Sequence, residues 1–418
     1  MEKVALLHVR YPLSPTRTQM PKRSNSGSSK KSKKKSKKNH NDQQMKILRS
    51  NMIKAIKDSD SNRLNRICQS RNSLLNQAIL WKSTASSALP IDQITLLHLV
   101  CQCKDHTIAN EMMVVLLTKC KRALFTVYDK DPKSIEDDNG MTPLHDATLN
   151  LQFECAKSLC LVMTGSRTNG IERTSKFVNH EISQDNKKGV TTDTGMTALM
   201  LVCRYAAAET ESIDDLQKLC GMAKFLVDHK SDVTATSELG YDALIYLVPE
   251  NTQDNKDKIT VDFAHQLATL ARTLILAGAD CNTKCVHYGA TALCWAALLK
   301  VDNLCPFIEV LLESGANPCY KMESENAVAL FKTIKETGKC TPLDFVYDAE
   351  SNCPNIKDKM LKNRRTVDGS LTPAPTLNGE NKSEILLTSS VPGLGLTRED
   401  IEFIYKYMNV EVVDLASL

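Results

Sequence analysis

Short amphipathic stripes recur along residues 45 to 365, each followed by a polar turn and a second stripe. After Thr142 the apolar positions are Leu144 and Ala147; after Thr291 they are Leu293, Ala296 and Ala297. Apolar residues three and four apart line one face of a helix, so each pair of stripes predicts two short helices around a turn. Such pairs open near residues 52, 95, 142, 197, 242, 291 and 341. A single pair cannot bury its apolar face alone, so neighbouring pairs must stack. The expected fold is all-α, a solenoid of about seven helix-turn-helix units.

The opening of each unit carries a motif. The copies read Thr95-Leu96-Leu97-His98, Thr142-Pro143-Leu144-His145, Thr197-Ala198-Leu199-Met200, Asp242-Ala243-Leu244-Ile245, Thr291-Ala292-Leu293-Cys294 and Thr341-Pro342-Leu343-Asp344. A second element follows in fixed order, as in Ala277-Gly278-Ala279-Asp280-Cys281-Asn282 and Ser314-Gly315-Ala316-Asn317-Pro318. Thr suits the cap of the first helix, Pro its first turn, and Gly the stop of the second. Over residues 45–365 this resembles the ankyrin family, whose opening motif is Thr-Pro-Leu-His-x-Ala. The resemblance implies an ankyrin-type α-solenoid. It also implies that His98 and His145 hydrogen-bond structurally between adjacent repeats. Nuclear factor kappa-B inhibitors have a similar number of repeats, but no residue singles out that subgroup.

Spacing departs from the family pattern. From Thr95 the openings are 47, 55, 45, 49 and 50 residues apart, against roughly 33 for a plain ankyrin unit. Polar stretches near 120–137, 164–192, 206–217, 249–260 and 320–337 offer themselves as insertions, either surface slack or a partner's particular contact. The first and last units, around Met52 to Cys68 and Thr341 to Arg365, read as atypical caps.

Charge separates the tail from the body. Residues 1–40 hold 12 Lys or Arg and the single acid Glu2, a net +11, which leaves −7 for the rest of a chain whose total is +4. Residues 1–44 read as a disordered Lys/Ser-rich tail, since Pro21 to Asn41 has almost no apolar residue. Its run Lys30, Lys31, Lys33, Lys34, Lys35, Lys37 and Lys38 has the composition of a nuclear import signal. It equally suits a nonspecific polyanion contact, or a solvated charge run with no receptor. Nucleic acid is therefore expected through this tail alone, because the body lacks the clustered cations that phosphate binding needs. Residues 366–396, rich in Thr, Pro, Ser and Gly, read as a linker, and 397–418 as a C-terminal amphipathic helix and tail.

Candidate chemistry is sparse. The 15 cysteines suit a reducing compartment and helix packing. Cys281, Cys285, His287 and Cys294 are ligand types for zinc, yet their slots are explained by packing and no Cys-x-x-Cys pair accompanies them. No phosphate-cradling loop, nucleophile elbow or metalloprotease pair is found, so neither enzyme activity nor a cofactor is expected. The apolar stretch Val4–Val9 is too short for a secretory core and no stretch approaches the length that spans a bilayer. The expected location is intracellular, in nucleus or cytoplasm.

Function is then expected on a binding face. The resemblance implies a concave surface built from the turns ahead of each opening motif and from the first helices. That maps to Asp138, Asn139 and Met141, then Asp193 and Met196, then Glu238 and Tyr241, then His287 and Tyr288. Trp295 reads as semi-buried packing. The expected role is a noncatalytic adaptor or regulator that binds one or more proteins, with access to the nucleus. A tail-driven nucleic-acid or chromatin protein, and a ubiquitin-ligase substrate receptor, are the alternatives.

Overall fold

The computed structural model describes residues 30–70, 73–82, 91, 94–164, 170–183, 194–208, 212–250, 253–286, 288–322, 341–346 and 353–363. The chain divides into two compact parts, Met1–Gln44 and Met45–Leu418. In the first, the described residues are helical from Lys30, within a helix Lys30–Lys57. The helix thus begins inside the stretch expected as a disordered tail. The segment 30–44 contains neither Gly nor Pro and is dominated by Lys and Gln, which have good helix propensity. It also extends a helix nucleated further along, so the unfavourable first turn is already made. Residues 1–29, the linker 366–396 and the C-terminal segment 397–418 lie outside the described residues.

The second part is a stack of seven helix pairs. The first pairs the portion of Lys30–Lys57 from Met45 onward with Ser61–Gln69. Leu96–Cys101 with His106–Lys130 and Pro143–Leu149 with Phe153–Thr164 come next. Ala198–Ala208 and Ile213–Asp228 follow, then Ala243–Tyr246 and Val261–Leu276. Ala292–Leu299 and Cys305–Glu313 form the sixth pair, and Pro342–Val346 and Pro354–Lys362 the seventh. From unit two onward, opening helices pack on opening helices of the next unit; second helices pack on second helices through all seven. This is the ankyrin-type α-solenoid that the motifs implied, and helices are the only regular elements among the described residues.

Small side chains allow the layers to approach. Ala147, Ala206, Ala243, Ala292, Ala296 and Ala297 are buried in the opening helices. Cys101, Cys203 and Cys294 share that layer, while Cys120, Cys155 and Cys160 fill the second one. Burial pushes the Cys120 and Cys160 thiols up to about 12, so they behave as small hydrophobes.

Four of the supposed insertions are partly helical, 206–217 holding the end of Ala198–Ala208 and the start of Ile213–Asp228. The stretch 120–137 is mostly the continuation of His106–Lys130, closed by a 3₁₀ turn at Pro132–Ile135. Within 164–192 lies a helix Gly170–Val178, and within 249–260 a helix Gln253–Lys258. The insertions 120–137 and 164–192 pack against each other. Arg173 of the unit-three insertion donates through Nε and Nη2 to Asp129 at 2.7 and 2.6 Å. Its guanidinium lies 4.4 Å from the Phe125 ring. Phe177 meets Tyr128 edge-on, with ring centroids 5.6 Å apart. A planar guanidinium can take a carboxylate with both forks while its face covers an aromatic ring.

Before unit two an unforeseen helix, Leu75–Leu80, is stapled by Arg49. This side chain, 2% exposed, donates to the carbonyls of Ala78, Ile91 and Ile94 at 3.2, 2.9 and 2.6 Å and lies over Trp81.

Candidate functional site

The turns that precede the opening helices project as fingers. In unit three, Asp137 Oδ1 accepts from the backbone N–H of Asn139 and of Met141, both at 2.8 Å, and the Asp137 N–H closes the finger onto the Met141 carbonyl at 2.7 Å. Gly140 turns the tip with φ +79°, and a Cβ there would lie 2.3 Å from the Ser183 carbonyl oxygen. Glycine is thus required both by the backbone angle and by the neighbouring finger. The fingers are tied sideways: Ser183 N–H donates to Gly140 O at 3.3 Å, and Glu238 N–H to Thr194 O at 3.4 Å.

Each finger feeds a capped helix. In unit two the Thr95 backbone N–H donates to His98 Nδ1 at 3.2 Å, while the Thr95 hydroxyl accepts from the third helical residue. Because Nδ1 accepts, the ring proton sits on Nε2, which donates to the Met141 carbonyl at 3.0 Å in the next unit's finger. Burial drives the His98 pKa down to about 3, holding the ring neutral. His145 repeats the cap at 3.0 Å and also falls to about 3 through burial. Its Nε2, however, makes no hydrogen bond of proper geometry, and its ring lies 6.3 Å from that of His180. In unit seven Asp344 takes the histidine's place, accepting from the Thr341 N–H at 3.1 Å. Unit six uses Cys294, whose sulfur accepts from the Thr291 hydroxyl at 3.4 Å. These are caps and bridges between units rather than reactive groups.

The candidate partner residues divide. Asp138, Asn139 and Glu238 are exposed, and Met141, Tyr241 and Tyr288 are half-buried. Asp193 and His287 lie outside the described residues. Met196 is 0% exposed and is withdrawn from the surface set. Its carbonyl accepts from Ile182 N–H at 2.9 Å, which clamps this finger base into the stack. Lys30 to Lys38 lie on the first helix, without described side chains.

The structure brings Tyr241 and Tyr288 together around Trp295. The Trp295 ring meets Tyr288 edge-on at 5.6 Å and Tyr241 at 6.2 Å, and Tyr241 meets Tyr246 at 5.5 Å. Tyr246 is fixed by its hydroxyl, which donates to Ser237 Oγ at 3.0 Å. Reading by sequence took Trp295 as packing and passed over Tyr246. The usable signal was positional, since the fourth residue after each cap runs Leu99, Asp146, Leu201, Tyr246, Trp295, Phe345. One face of the opening helices is therefore apolar except at Asp146, and turns aromatic over its last three positions. Asp146, 5% exposed, accepts from Gln102 Nε2 at 3.1 Å, and burial pushes its carboxyl up to about 7.

Among the described residues no group of three or more His, Cys, Asp or Glu is arranged to hold a metal. Cys281 is engaged instead, its thiol donating to the Ser314 carbonyl at 3.3 Å. No described helix is long and apolar enough to cross a membrane.

No protein-family model matches the chain, and no curated protein matches it. Solved structures do. The ankyrin repeat domain of Bcl-3, described as a unique member of the IkappaB protein family, is 15% identical over 74% of this chain and 97% of its own, with a TM-score of 0.41. The ankyrin repeat protein EF0377 is 16% identical over 62% of this chain and 96% of its own, at 0.36. An ankyrin repeat domain from Acinetobacter baumannii AYE, ABAYE2397, is 20% identical over 62% and 96%, at 0.37. At this identity and overlap the likeness says nothing about a partner.

Proposed function

We propose that this chain is a noncatalytic protein-binding adaptor or regulator whose partner engages the fingers and the aromatic patch of units five and six. The observation that carries this reading is the contact set of Tyr241, Tyr288 and Trp295, three half-buried aromatics beside the exposed Glu238 finger. Large, rigid aromatics partly open to solvent are the residue types that anchor protein interfaces, while surrounding polar residues exclude water. Asp138 and Asn139 on the unit-three finger extend the contact line. Access to the nucleus through the Lys30–Lys38 run belongs to the same proposal.

The test is affinity capture with the full chain and with a Tyr241→Ala/Tyr288→Ala variant, from nuclease-treated lysate at moderate salt. Bound proteins are expected to fall at least about tenfold in the variant, the loss of roughly one hot spot. Leu276→Ala, at an 84% exposed position on a second helix, should change nothing. Capture that ignores the tyrosines but vanishes with nuclease would favour the second reading, polyanion binding. That reading draws on the helical Lys30–Lys38 run, and such binding should weaken steeply with salt.

A further inference from the structure

The aromatic patch of units five and six continues onto an apolar fingertip. Val286 is 74% exposed, and a Cβ on Gly240 would lie 2.4 Å from its Cγ2, so this side chain rests against the finger that carries Tyr241. Beside it the unit-six finger presents Lys284, whose Nζ lies 4.5 Å from the Tyr320 ring centroid, and the unit-seven finger presents Lys321. Both lysines are exposed, with no ion pair among the described residues. The surface thus joins apolar groups open to water with a positive edge on its unit-seven side. Covering such groups with a matching apolar face is favourable.

The chain holds a segment of complementary pattern. In residues 397–418, Ile401, Ile404, Tyr405 and Met408 recur three and four apart, the spacing of one helix face. At a rise of about 1.5 Å per residue this stripe is roughly 10 Å long. That is the scale of the patch, where the Tyr288 and Tyr241 rings lie 5.6 and 6.2 Å from Trp295. Asp400 and Glu411 border the stripe, and the segment carries five acidic residues against Arg398 and Lys406. Its tether is long enough. The helix Pro354–Lys362 packs on Cys305–Glu313 of unit six. An unstructured chain as long as 364–396 spans roughly 30 Å, whereas packed helices lie about 10 Å apart. A tether of that reach gives an effective concentration approaching the millimolar range, which a partner in solution must outcompete.

We propose that residues 397–418 dock in cis on Tyr241, Tyr288 and Val286, as an amphipathic helix whose acidic border faces Lys284 and Lys321. The docked segment covers the face assigned above to the partner, so a partner has to displace it. This regulatory sense rests on the partner reading of the patch; the docking itself does not.

The test reads Trp295 in the full chain carrying Trp81→Phe, which leaves it the only tryptophan. Acrylamide quenching of its fluorescence is expected to rise at least about twofold on Ile404→Asp/Tyr405→Asp, which releases the segment. A synthetic peptide of residues 397–418 should restore the protection in that variant. Its affinity should fall about threefold when Lys284→Glu/Lys321→Glu is added. Docking in cis is overturned if the released variant is quenched like the unaltered tail, or if the peptide leaves quenching unchanged. Protection that fades on dilution also overturns it, assigning the cover to a second copy. Partner capture by the Tyr241→Ala/Tyr288→Ala variant is measured separately, so either reading can fail without the other.

Discussion

Units two and three and units five and six solve the same packing problem with different chemistry. In the former, His98 and His145 cap the opening helices, and His98 reaches across to the next finger at Met141. Two insertions there lock together through Arg173 and Asp129. In the latter, Asp242 and Thr291 cap through their own side chains, accepting from Ile245 N–H at 2.8 Å and Cys294 N–H at 3.4 Å. Coupling between units five and six passes instead through Tyr241, Trp295 and Tyr288. One half invests its polar groups in joining units, and the other leaves aromatic surface half-open. Stability and binding are thus expected to separate along the stack.

Acid should break that comparison most strongly. His98 and His145 are neutral in the fold down to about 3, while in the unfolded chain they take protons below the ordinary value of 6.5. The unfolded state therefore binds more protons across that window, and stability falls as pH drops through it, by about 3 kcal/mol per histidine at pH 4. Asp242, raised to about 6 by burial, has the opposite sign, as has Asp146 of unit three at about 7, which offsets part of the loss from the two histidines. Asp242 binds its proton more tightly folded than unfolded, so its contribution weakens as pH rises from 3.8 to 6. Hydrogen exchange at pH 4.5 should show units two and three opening before units five and six; simultaneous opening would contradict the division.

At neutral pH, His98→Ala is expected to cost about 3 kcal/mol in urea denaturation, because it leaves the buried Thr95 N–H without its acceptor and takes away the bridge to the Met141 carbonyl, which keeps only the Asp137 N–H. His145→Ala, which loses a cap but no bridge, should cost roughly 2 kcal/mol, and Cys294→Ala about 1 kcal/mol. Equal losses at His98 and Cys294 would mean that the bridge adds nothing.

Asp146→Asn should stabilise units two and three by roughly 2 kcal/mol at pH 8, and the gain should vanish near pH 4. The reason is that the native carboxyl, raised to about 7, is penalised only where it ionises. Melting curves at the two pH values check this. Trp295→Ala should weaken partner capture about tenfold. Arg173→Ala should cost only about 1 kcal/mol, since Asp129 is half exposed and solvent screens the pair. Its clearer signature would be faster proteolysis between Asp131 and Asp137.

Much of this was legible from periodicity and motif. The caps at Thr95, Thr142 and Thr291, the glycine turns and the seven openings follow from local rules, because each solves a problem within a few residues of chain. The start of the first helix at Lys30 was not legible, since a composition poor in apolar residues carries no periodic stripe to mark a helix boundary. Met196 was assigned to the surface because its finger slot matches Met141 and Tyr241, yet the pairing with Ile182 draws it inward.

The insertions mark the deeper limit. Nothing local links Asp129 to Arg173 or Glu136 to His180, which lie 44 residues apart in each case. The sequence by itself determined the repeat, its caps and its stacking direction, because those depend on short-range periodicity and backbone geometry. Only the tertiary structure decided which polar residues meet across units, which finger residues stay exposed and which aromatic rings gather. Those outcomes depend on contacts between segments distant in sequence, and no local pattern encodes them.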